Sequence, residues 1–422
     1  MSIPFKLAYN TSFQLLGKAV TVVSTTIVFY LIIIPNFSVG EFGILNSILS
    51  YVALFYVFAD FGLNAIFVRE VGADQDKQKE FFKKLFGLRL VIAIIISFIA
   101  AASLAFVGYT PVVKAGIIIA LGLIITQTFS ITALALFQAK IRYDLALVAD
   151  LFWAVANLVF VFIAVRLTGS ILFVIAAVVI GNAAKVLVSF YLVRFQLGQI
   201  SLEFDKEFWR RFLLAALPIG LIAIFSQFNA QIDKQIVLLA HYSPGVKIIG
   251  ADAAGFYGFA YKIFELAIVV PTFIMNVGYP IMVQKREEGI RVLIGFSKKM
   301  VGGLFFIGFI CLLFGWFAAP FILDISIFQK FSLSLSTIRI LLLGFPLFFI
   351  TPVTLWLAIT LKKHAEMMSI YAFAAAFNLV ANLVFIPKFG YNAAAVVTIA
   401  SELLILILSA SVLFIELKLN KT

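Results

Sequence analysis

Residues 85–107 decide the fold, because they read LFGLRLVIAIIISFIAAASLAFV and carry a single charge, that of Arg89. A helix needs about 20 mostly apolar residues to cross about 30 Å of hydrocarbon, so this stretch is long enough to span a membrane. Eleven further stretches have the same character. We therefore predict an all-α polytopic membrane protein with about twelve spans, at 9–34, 41–66, 85–107, 112–137, 145–167, 170–193, 212–240, 254–282, 299–320, 335–361, 365–387 and 390–416.

The composition of the whole chain agrees with this prediction. Of its 422 residues 64% are hydrophobic and 12% are charged, whereas a soluble domain has roughly 45–50% apolar and about 25% charged residues. A soluble enzyme, a nucleic-acid-binding module and a disordered chain are thereby excluded. One cysteine and two histidines supply neither a disulfide framework nor a His-rich metal site, so no metal or other cofactor is expected.

The net charge of +12 is distributed unequally between the two sets of helix ends. One set carries 22 lysines and arginines, and the other carries five. The positive-inside rule places the richer set, and with it both termini, in the cytoplasm, so we predict a multi-pass protein of the cytoplasmic (inner) membrane. The richer set consists of Lys6, Arg69, Lys77, Lys79, Lys83, Lys84, Arg89, Lys140, Arg142, Arg194, Lys206, Arg210, Arg211, Lys285, Arg286, Arg291, Lys298, Lys299, Lys362, Lys363, Lys418 and Lys421.

A polar segment near the middle of the chain, residues 194–211, separates the first six predicted spans from the last six. Its aromatic residues recur at helical spacing, which predicts a cytoplasmic amphipathic connector. The two six-helix lobes are then 1–193 and 212–422. The aromatic residues of that helical face are Phe204, Phe208 and Phe212.

The two halves also show a weak internal similarity. Asn157 and Gly169 are 12 residues apart, as are Asn378 and Gly390, at equivalent places in their halves. The same shift of 221 residues brings Arg142 onto Lys363. Because each half has an even number of spans, the lobes are predicted to be parallel repeats, which bind substrate at their interface and expose it alternately to the two sides.

Proline is distributed differently in the two halves. The C-terminal half has Pro218, Pro271, Pro346 and Pro352 within predicted spans, while the prolines of the N-terminal half lie at span ends or turns. Proline removes a backbone hydrogen bond and tends to kink a helix. We therefore predict bent helices in the C-terminal lobe and straighter ones in the N-terminal lobe.

Ionisable residues within the predicted spans mark the candidate site, since each costs at least about 2.5–3.5 kcal/mol at the membrane centre unless it faces a cavity or a partner. Snorkelling remains an alternative for Lys18 and Lys185, anchoring for Arg339, and mutual neutralisation for Lys262 and Glu265. The ten residues are Lys18, Asp60, Asp150, Lys185, Asp233, Lys234, Lys262, Glu265, Arg339 and Glu402, five of each sign.

The seventh span contains a polar stretch. Five of the eight residues from Gln227 to Lys234 are polar or charged, which is more than core packing usually requires. Asp233 and Lys234 are adjacent and point about 100° apart on a helix, so they need separate partners. The chain contains no phosphate-binding P-loop, no HExxH motif and no nucleophile elbow, and its outer loops are short, so an enzyme is not expected.

Several short stretches resemble motifs of the Wzx-type polysaccharide flippases. In that family a G-x-[FY]-G turn follows the first helix, an acidic-aromatic-Gly stretch ends the second, x-x-Asp-basic lies on the seventh, G-x-Y starts the eighth, and Pro-x-x-Gly-x-x-Ala leads into a late helix. Gln231 departs from the pattern, because many members have arginine there. The matching stretches are Gly40–Gly43, Asp60–Leu63, Gln231–Lys234, Gly255–Tyr257 and Pro387–Ala393.

The resemblance implies a member of the multidrug, oligosaccharidyl-lipid and polysaccharide exporter superfamily. The expected function is a flippase that moves polyprenyl-diphosphate-linked oligosaccharide from the cytoplasmic to the outer leaflet by alternating access, in cell-surface polysaccharide (for example O-antigen) biosynthesis. Expected partners are that glycan lipid, membrane lipids and other polysaccharide-assembly membrane proteins, not nucleic acid. Coupling to a proton or sodium gradient fits such a transporter.

Roles for the candidate residues follow from that function. Four cations are candidates for binding the diphosphate: Lys18, Lys234, Lys262 and Arg339. Two amides, Asn229 and Gln227, are candidates for sugar contacts. Four acids are candidates for gating or ion coupling: Asp60, Asp233, Glu265 and Glu402. Two alternatives stay open, a cation-coupled multidrug exporter of the same fold and a membrane polymerase or ligase.

The predicted orientation can be tested on whole cells. A cysteine at position 77 should not react with an impermeant thiol reagent added outside, whereas one at position 246 should react, because the positive-inside rule places them on opposite sides. The protein without Cys311 serves as the background. The reverse labelling pattern would contradict both the topology and the parallel-repeat prediction.

Overall fold

The computed structural model describes residues 3–72, 74–198 and 200–419, with side chains from Ser12 to Lys418 except at 73, 75 and 199. The Lys6 side chain and Lys421, both among the predicted cytoplasmic cations, lie outside the described residues, as do the outermost ends of the predicted lobes. Within the described ranges the chain is helical, with no strands. The all-α prediction is confirmed.

Eleven helices are long and apolar enough to cross a membrane, and a bent pair forms a twelfth span among the described residues. Each overlaps one predicted span, and several extend well beyond it. In chain order they are α1 (Ser12–Asn36), α2 (Val39–Val71), α3 (Asp76–Ser103), α4 (Pro111–Ala139), α5 (Tyr143–Thr168), α6 (Ile171–Leu197), α7 (Lys206–Leu239), α8 (Gly250–Glu288), α9 (Ile290–Asp324), α10 (Gln329–Leu343 with Phe345–Thr360), α11 (His364–Phe389) and α12 (Tyr391–Lys418).

Most interruptions of the helices do not coincide with proline. The bend of α10, by 43° at Gly344 directly before the helix that contains Pro346, is as expected. Pro218 and Pro271 lie inside uninterrupted helices. By contrast α2 is interrupted at Phe61–Gly62, where both residues have positive φ, +43° and +71°. Membrane helices tolerate proline because neighbouring groups satisfy the freed backbone atoms, so a proline need not mark an interruption of the helix.

The chain forms two compact units whose boundaries lie inside helices. The first comprises the chain up to Ser38 together with Ile48–Ile224, and the second comprises Val39–Ser47 and the chain from Phe225. The start of α2 thus packs with the second unit and the start of α7 with the first. The predicted lobes, 1–193 and 212–422, stay a prediction.

The connector packs closely on α3 within the first unit. The ammonium of Lys84 lies 3.0 Å from the Asp205 carboxylate, and an added Cβ at Gly87 would come within 2.2 Å of the Glu203 carbonyl oxygen. The Phe208 backbone N–H and then Lys84 hold the pKa of the Asp205 carboxyl below its usual range. Gly87 therefore has to be glycine for this segment to lie where it does.

The predicted amphipathic face is correct in part. Phe208 and Phe212 are buried and pack edge-on against Phe81. Phe204 precedes the helix, which begins at Lys206, and is 60% exposed. Within its described residues the connector is therefore the end of α6, a non-helical segment at 200–205 and the first turns of α7, rather than a separate helix.

In the second unit, α2 and α8 cross with their backbones in contact. An added Cβ at Gly43 would lie 2.1 Å from the Ala251 carbonyl oxygen, and one at Gly255 would lie 2.1 Å from the Val39 carbonyl oxygen. Small residues permit such an approach between membrane helices. These glycines belong to two of the stretches that carried the family resemblance.

The internal similarity is visible in the backbone. Ile141 and Lys362, 221 residues apart, both have positive φ, +53° and +61°. The next residue in each half donates a backbone hydrogen bond to the carbonyl five positions earlier, at 2.8 and 2.9 Å. Gly169 and Gly390 both end their helices with positive φ. The turn at Ile141 and Lys362 thus has the same geometry in both halves, which supports a duplication, whereas Gly169 and Gly390 differ in ψ, 16° and −171°.

The crossing of α2 and α8 gives a stability prediction. Gly255→Ala should lower the thermal unfolding midpoint in detergent, because overpacking of this kind costs about 1–3 kcal/mol. The matched control is Gly302→Ala on α9, where an added Cβ meets nothing within 4 Å, so its midpoint should stay at or slightly above the wild-type value. Equal midpoints for the two variants would show that the glycine contact is dispensable.

Candidate functional site

The polar stretch of α7 places a lysine in the interior of the second unit. The Lys234 side chain is 2% exposed, and its ammonium donates hydrogen bonds of 2.9 Å to Glu265 Oε1 and to Gln231 Oε1. It also lies 4.0 Å from the centroid of the Tyr261 ring. A buried ammonium needs such a set of partners, since an unpaired charge is strongly destabilised away from water.

Glu265 is shared between two lysines. Its Oε1 accepts from Lys234, and its Oε2 accepts from Lys262 at 2.8 Å. The Lys262 and Glu265 side chains are 23% and 34% exposed. The three residues, hereafter the lysine–glutamate triad, carry a net charge of +1. Lys262 and Glu265 therefore do neutralise one another, which was an open alternative in the sequence analysis. The positive charge of Lys234 remains in excess within the triad.

Asp233 has separate partners, as its position next to Lys234 predicted. It is fully buried, the Tyr257 hydroxyl donates to its Oδ2, and the Thr398 hydroxyl donates to the same oxygen at 3.3 Å. The backbone N–H of Lys234 donates to its Oδ1 at 2.7 Å. Asp233 therefore joins α7, α8 and α12 inside the second unit.

Glu402 lies near both groups. Its electrostatic neighbours are the Thr351 hydroxyl, Tyr261 and Tyr371. Tyr261 also contacts Lys234, and its ring lies 5.6 Å from that of Tyr257. The carboxylate on α12 is thus linked through tyrosines to the triad and to Asp233.

The two amides predicted for sugar contacts lie earlier on α7. Both polar atoms of the Asn229 side chain are buried without a hydrogen-bond partner among the described residues. Gln227 is half-buried. An unsatisfied buried amide is costly in the free protein, so Asn229 is the better placed of the two for a polar ligand.

The other predicted cations have different partners. The guanidinium of Arg339 stacks over the Trp316 ring at 5.1 Å, which fits the anchoring alternative. Lys18 is half-buried on α1 in the first unit. Its neighbour Gly17 packs against Asp150, whose Oδ1 lies 2.6 Å from the ammonium of Lys185.

Asp60 pairs with a residue that the sequence had placed at a cytoplasmic end. Arg89 is fully buried, and its Nη2 donates to Asp60 Oδ1 at 3.0 Å and to Asn64 Oδ1 at 2.7 Å. The two acceptors stand on either side of the break at Phe61–Gly62. Arg89 therefore holds together the two parts of α2, although the sequence analysis had counted it only among the cations at the helix ends.

The sequence also missed the hydroxyl partners of the buried charges. Tyr257, Tyr261 and Thr398 complete the surroundings of Asp233 and Lys234, and only Tyr257 had been noticed, as part of a motif. The available signal was helical spacing, since Tyr257, Tyr261 and Glu265 are successive i, i+4 positions on one face of α8. Among the described residues no group of three or more His, Cys, Asp or Glu side chains could hold a metal ion.

Comparisons with known proteins agree with this architecture. A family model described as polysaccharide biosynthesis protein matches residues 7–285, about two thirds of the chain. That range includes α7 and the triad. No curated protein is similar in sequence at a significant level.

Solved structures with the same fold are transporters. A multidrug resistance MATE family transporter of the MOP superfamily, in its inward-facing conformation, has a TM-score of 0.74 at 13% identity, over 96% of this chain and 95% of that chain. A MOP superfamily transporter from Pyrococcus furiosus, described as having a binding pocket of reverse polarity, has a TM-score of 0.66 at 12% identity, over 99% and 96%. A variant of the Vibrio cholerae MATE transporter VcmN has a TM-score of 0.65 at 16% identity, over 97% and 96%. Such identities show a shared fold.

The triad gives a prediction about stability. Glu265→Gln should destabilise the protein, because losing one partner of a buried ion pair costs about 3–5 kcal/mol and leaves the Lys234 charge uncompensated. Adding Lys234→Met should recover much of the loss, which thermal unfolding of the single and double variants will measure. Lys262→Gln is the control, since Glu265 keeps Lys234 as partner. Additive effects of the two substitutions would show that Lys234 and Glu265 are not coupled.

Proposed function

Because the chain belongs to the polysaccharide biosynthesis protein family, we propose that it is a flippase for polyprenyl-diphosphate-linked oligosaccharide. It would carry the glycan lipid from the cytoplasmic to the outer leaflet by alternating access, in the synthesis of a cell-surface polysaccharide such as an O-antigen. Its family and fold are those of membrane transporters and flippases rather than of enzymes. The lipid-linked glycan is the part that we propose.

The observation that carries the proposal is the lysine–glutamate triad. Two ammonium groups share one carboxylate, and that of Lys262 belongs to the more exposed of the two lysines, 23% against 2%. A diphosphate offers more anionic oxygens than a carboxylate and forms charge-assisted hydrogen bonds of the same kind. Lys262 can therefore turn from Glu265 to a diphosphate, while Glu265 keeps the buried Lys234 neutralised.

The remaining acids are assigned to coupling. Asp233 is enclosed by hydroxyl groups from α8 and α12, and Glu402 is linked to the triad through Tyr261. A proton or sodium ion taken up at either carboxylate would change the charge balance beside Lys234. The membrane potential also favours outward movement of a negative charge, by about 2.3 kcal/mol per 100 mV.

A multidrug exporter of the same fold is the alternative. Its substrates are organic cations, which the net charge of +1 of the triad disfavours at Lys262, while Asp233 and Glu402 add two carboxylates nearby. The structural similarity to multidrug transporters concerns the fold. We place the protein in the cytoplasmic membrane with both termini inside, working beside other polysaccharide-assembly membrane proteins.

Transport by Lys262 variants tests the proposal. In proteoliposomes that contain fluorescent undecaprenyl-diphosphate-linked sugar, Lys262→Ala should slow flipping at least about tenfold, since a charged hydrogen bond contributes about 1.5–3 kcal/mol. Lys262→Arg should retain more activity than Lys262→Gln if charge is what counts.

The matched control is Lys299→Ala, an exposed lysine on α9, which should flip at the wild-type rate. Full activity of Lys262→Gln would mean that the lysine serves only Glu265. Export of organic cations without any flipping of the lipid would favour the alternative.

A further inference from the structure

An open cavity of about 520 Å³ lies within the first unit, where α7 begins beside α3. Its volume falls in the range of small-molecule pockets, roughly 300–1,000 Å³. The predicted spans of these two helices start at residues 85 and 212, so the cavity lies where both helices enter the membrane. The residues that line it include Glu80, Lys84, Glu207, Arg210, Arg211 and Leu214.

The walls of the cavity are fixed by hydrogen bonds within the protein. Asp205 Oδ1 accepts from the backbone N–H groups of Glu207 and Phe208, at 3.1 and 2.9 Å, which holds the first turn of α7. The indole Nε1 of Trp209 donates to the Lys84 carbonyl oxygen at 3.2 Å, which ties α7 to α3. A preformed site of this kind binds a ligand at a lower entropy cost, because its own residues are already ordered.

The cavity is lined by three acids and three bases, which suits neither a simple anion nor a simple cation. Lys84 is already paired, with Glu80 at 2.7 Å and with Asp205 at 3.0 Å. Among the described residues Glu207 and Arg210 form no ion pair. A carboxylate and a guanidinium of the lining are therefore both available to a ligand that carries both charges.

Arg211, the third base, is held by aromatic rings rather than by a carboxylate. Its guanidinium lies 5.7–5.9 Å from the centroids of three phenylalanine rings. Such contacts use the charge of the guanidinium but not its N–H groups, which stay free for a bidentate partner such as a phosphate. The three rings are those of Phe81, Phe208 and Phe212.

The two helices present their charges in the same order. On α3 the acid Glu80 precedes the cation Lys84 by four residues, and on α7 Glu207 precedes Arg211 by four residues. Because both helices enter the membrane here, the acids lie farther from the hydrocarbon than the cations. Leu214, which is 60% exposed, follows on the same face of α7. From water inward the cavity therefore offers a carboxylate, a cation and an apolar side chain.

A phospholipid with a primary ammonium has the matching order of groups. In phosphatidylethanolamine the ammonium is outermost, the phosphate follows, and the acyl chains lie in the hydrocarbon. An ammonium donates to carboxylates through three N–H groups, and arginine binds phosphate bidentately. A choline headgroup has no N–H donor and a glycerol headgroup has no cation, so neither satisfies the acids.

We infer that this cavity binds the headgroup of phosphatidylethanolamine. The phosphate contacts Arg210 and Arg211, the ammonium contacts Glu207 and Glu80, and an acyl chain lies along the exposed Leu214. A lipid bound in this way holds the start of α7 at the membrane surface. The site does not depend on which substrate the protein transports, so it stands or falls separately from the proposed function.

Equilibrium binding of radiolabelled phospholipids to the immobilised protein in detergent tests the site. Three lipids with identical acyl chains are compared, with ethanolamine, choline and glycerol headgroups. The ethanolamine lipid should bind at least about tenfold more tightly than the other two, because it alone forms charged hydrogen bonds with both the acids and the arginines. Equal affinities for the ethanolamine and glycerol lipids would overturn the inference, since a merely basic surface binds any phosphate.

Substitutions separate the two ends of the headgroup. Glu207→Gln should weaken the ethanolamine lipid about tenfold and bind the glycerol lipid no less tightly than the wild type, whereas Arg210→Gln should weaken all three lipids. The matched control is Lys206→Gln, an exposed cation that does not line the cavity, which should alter none. Unfolding midpoints without lipid should equal that of the wild type. Unchanged affinity of Glu207→Gln for the ethanolamine lipid would overturn the ammonium site.

The water-soluble glycerophosphoethanolamine separates the membrane lipid from its free headgroup. It should displace the ethanolamine lipid only at concentrations at least about a hundredfold higher than those of the lipid, because it makes no apolar contact with Leu214. Displacement at equal concentrations would show that the cavity takes the free headgroup, and would overturn a membrane lipid as its occupant.

Discussion

The enclosure of Lys234 is the constraint from which the second unit follows. An ammonium group that is closed off from water is tolerated only when an anion and further acceptors surround it. Glu265 supplies the anion, Gln231 an acceptor, and Tyr261 an electron-rich ring. These partners come from α7 and α8, so the register of the two helices is fixed by one cation. Lys262 contacts the same carboxylate, that of Glu265.

The two units pair the cations within their helices with different residues. The first buries Arg89 against Asp60 and Asn64, and Lys185 against Asp150. In the second unit the buried Lys234 is neutralised by Glu265, which Lys262 shares. The duplicated backbone therefore carries different sets of paired charges in its two halves.

The sequence was a good guide to the spans and to which charges lie within the helices, because both depend on residue type alone. Hydrocarbon length fixed the number of helices, and the cost of intramembrane charge singled out Lys234, Lys262 and Glu265. Partners were harder to predict, since pairing depends on which helices are neighbours. Arg89 was counted among the cations at the helix ends because it lies near the start of a span, yet its side chain is fully buried. The break at Phe61–Gly62 could not be foreseen either, because a phenylalanine with positive φ is stabilised by its surroundings and not by its own preference.

The backbone crossing of α2 and α8 at Gly43 and Gly255 has a consequence for how such a contact can change. Glycine has no rotamers to lose, so the contact forms with little side-chain entropy cost and no adjustable group softens it. Dispersion attraction between backbones falls steeply over a gap of 0.5–1 Å, on the order of a quarter to a half of its depth. Long side chains would follow a small displacement and keep touching, but these two helices cannot. The backbone contact between α2 and α8 is therefore either complete or lost, without a graded intermediate.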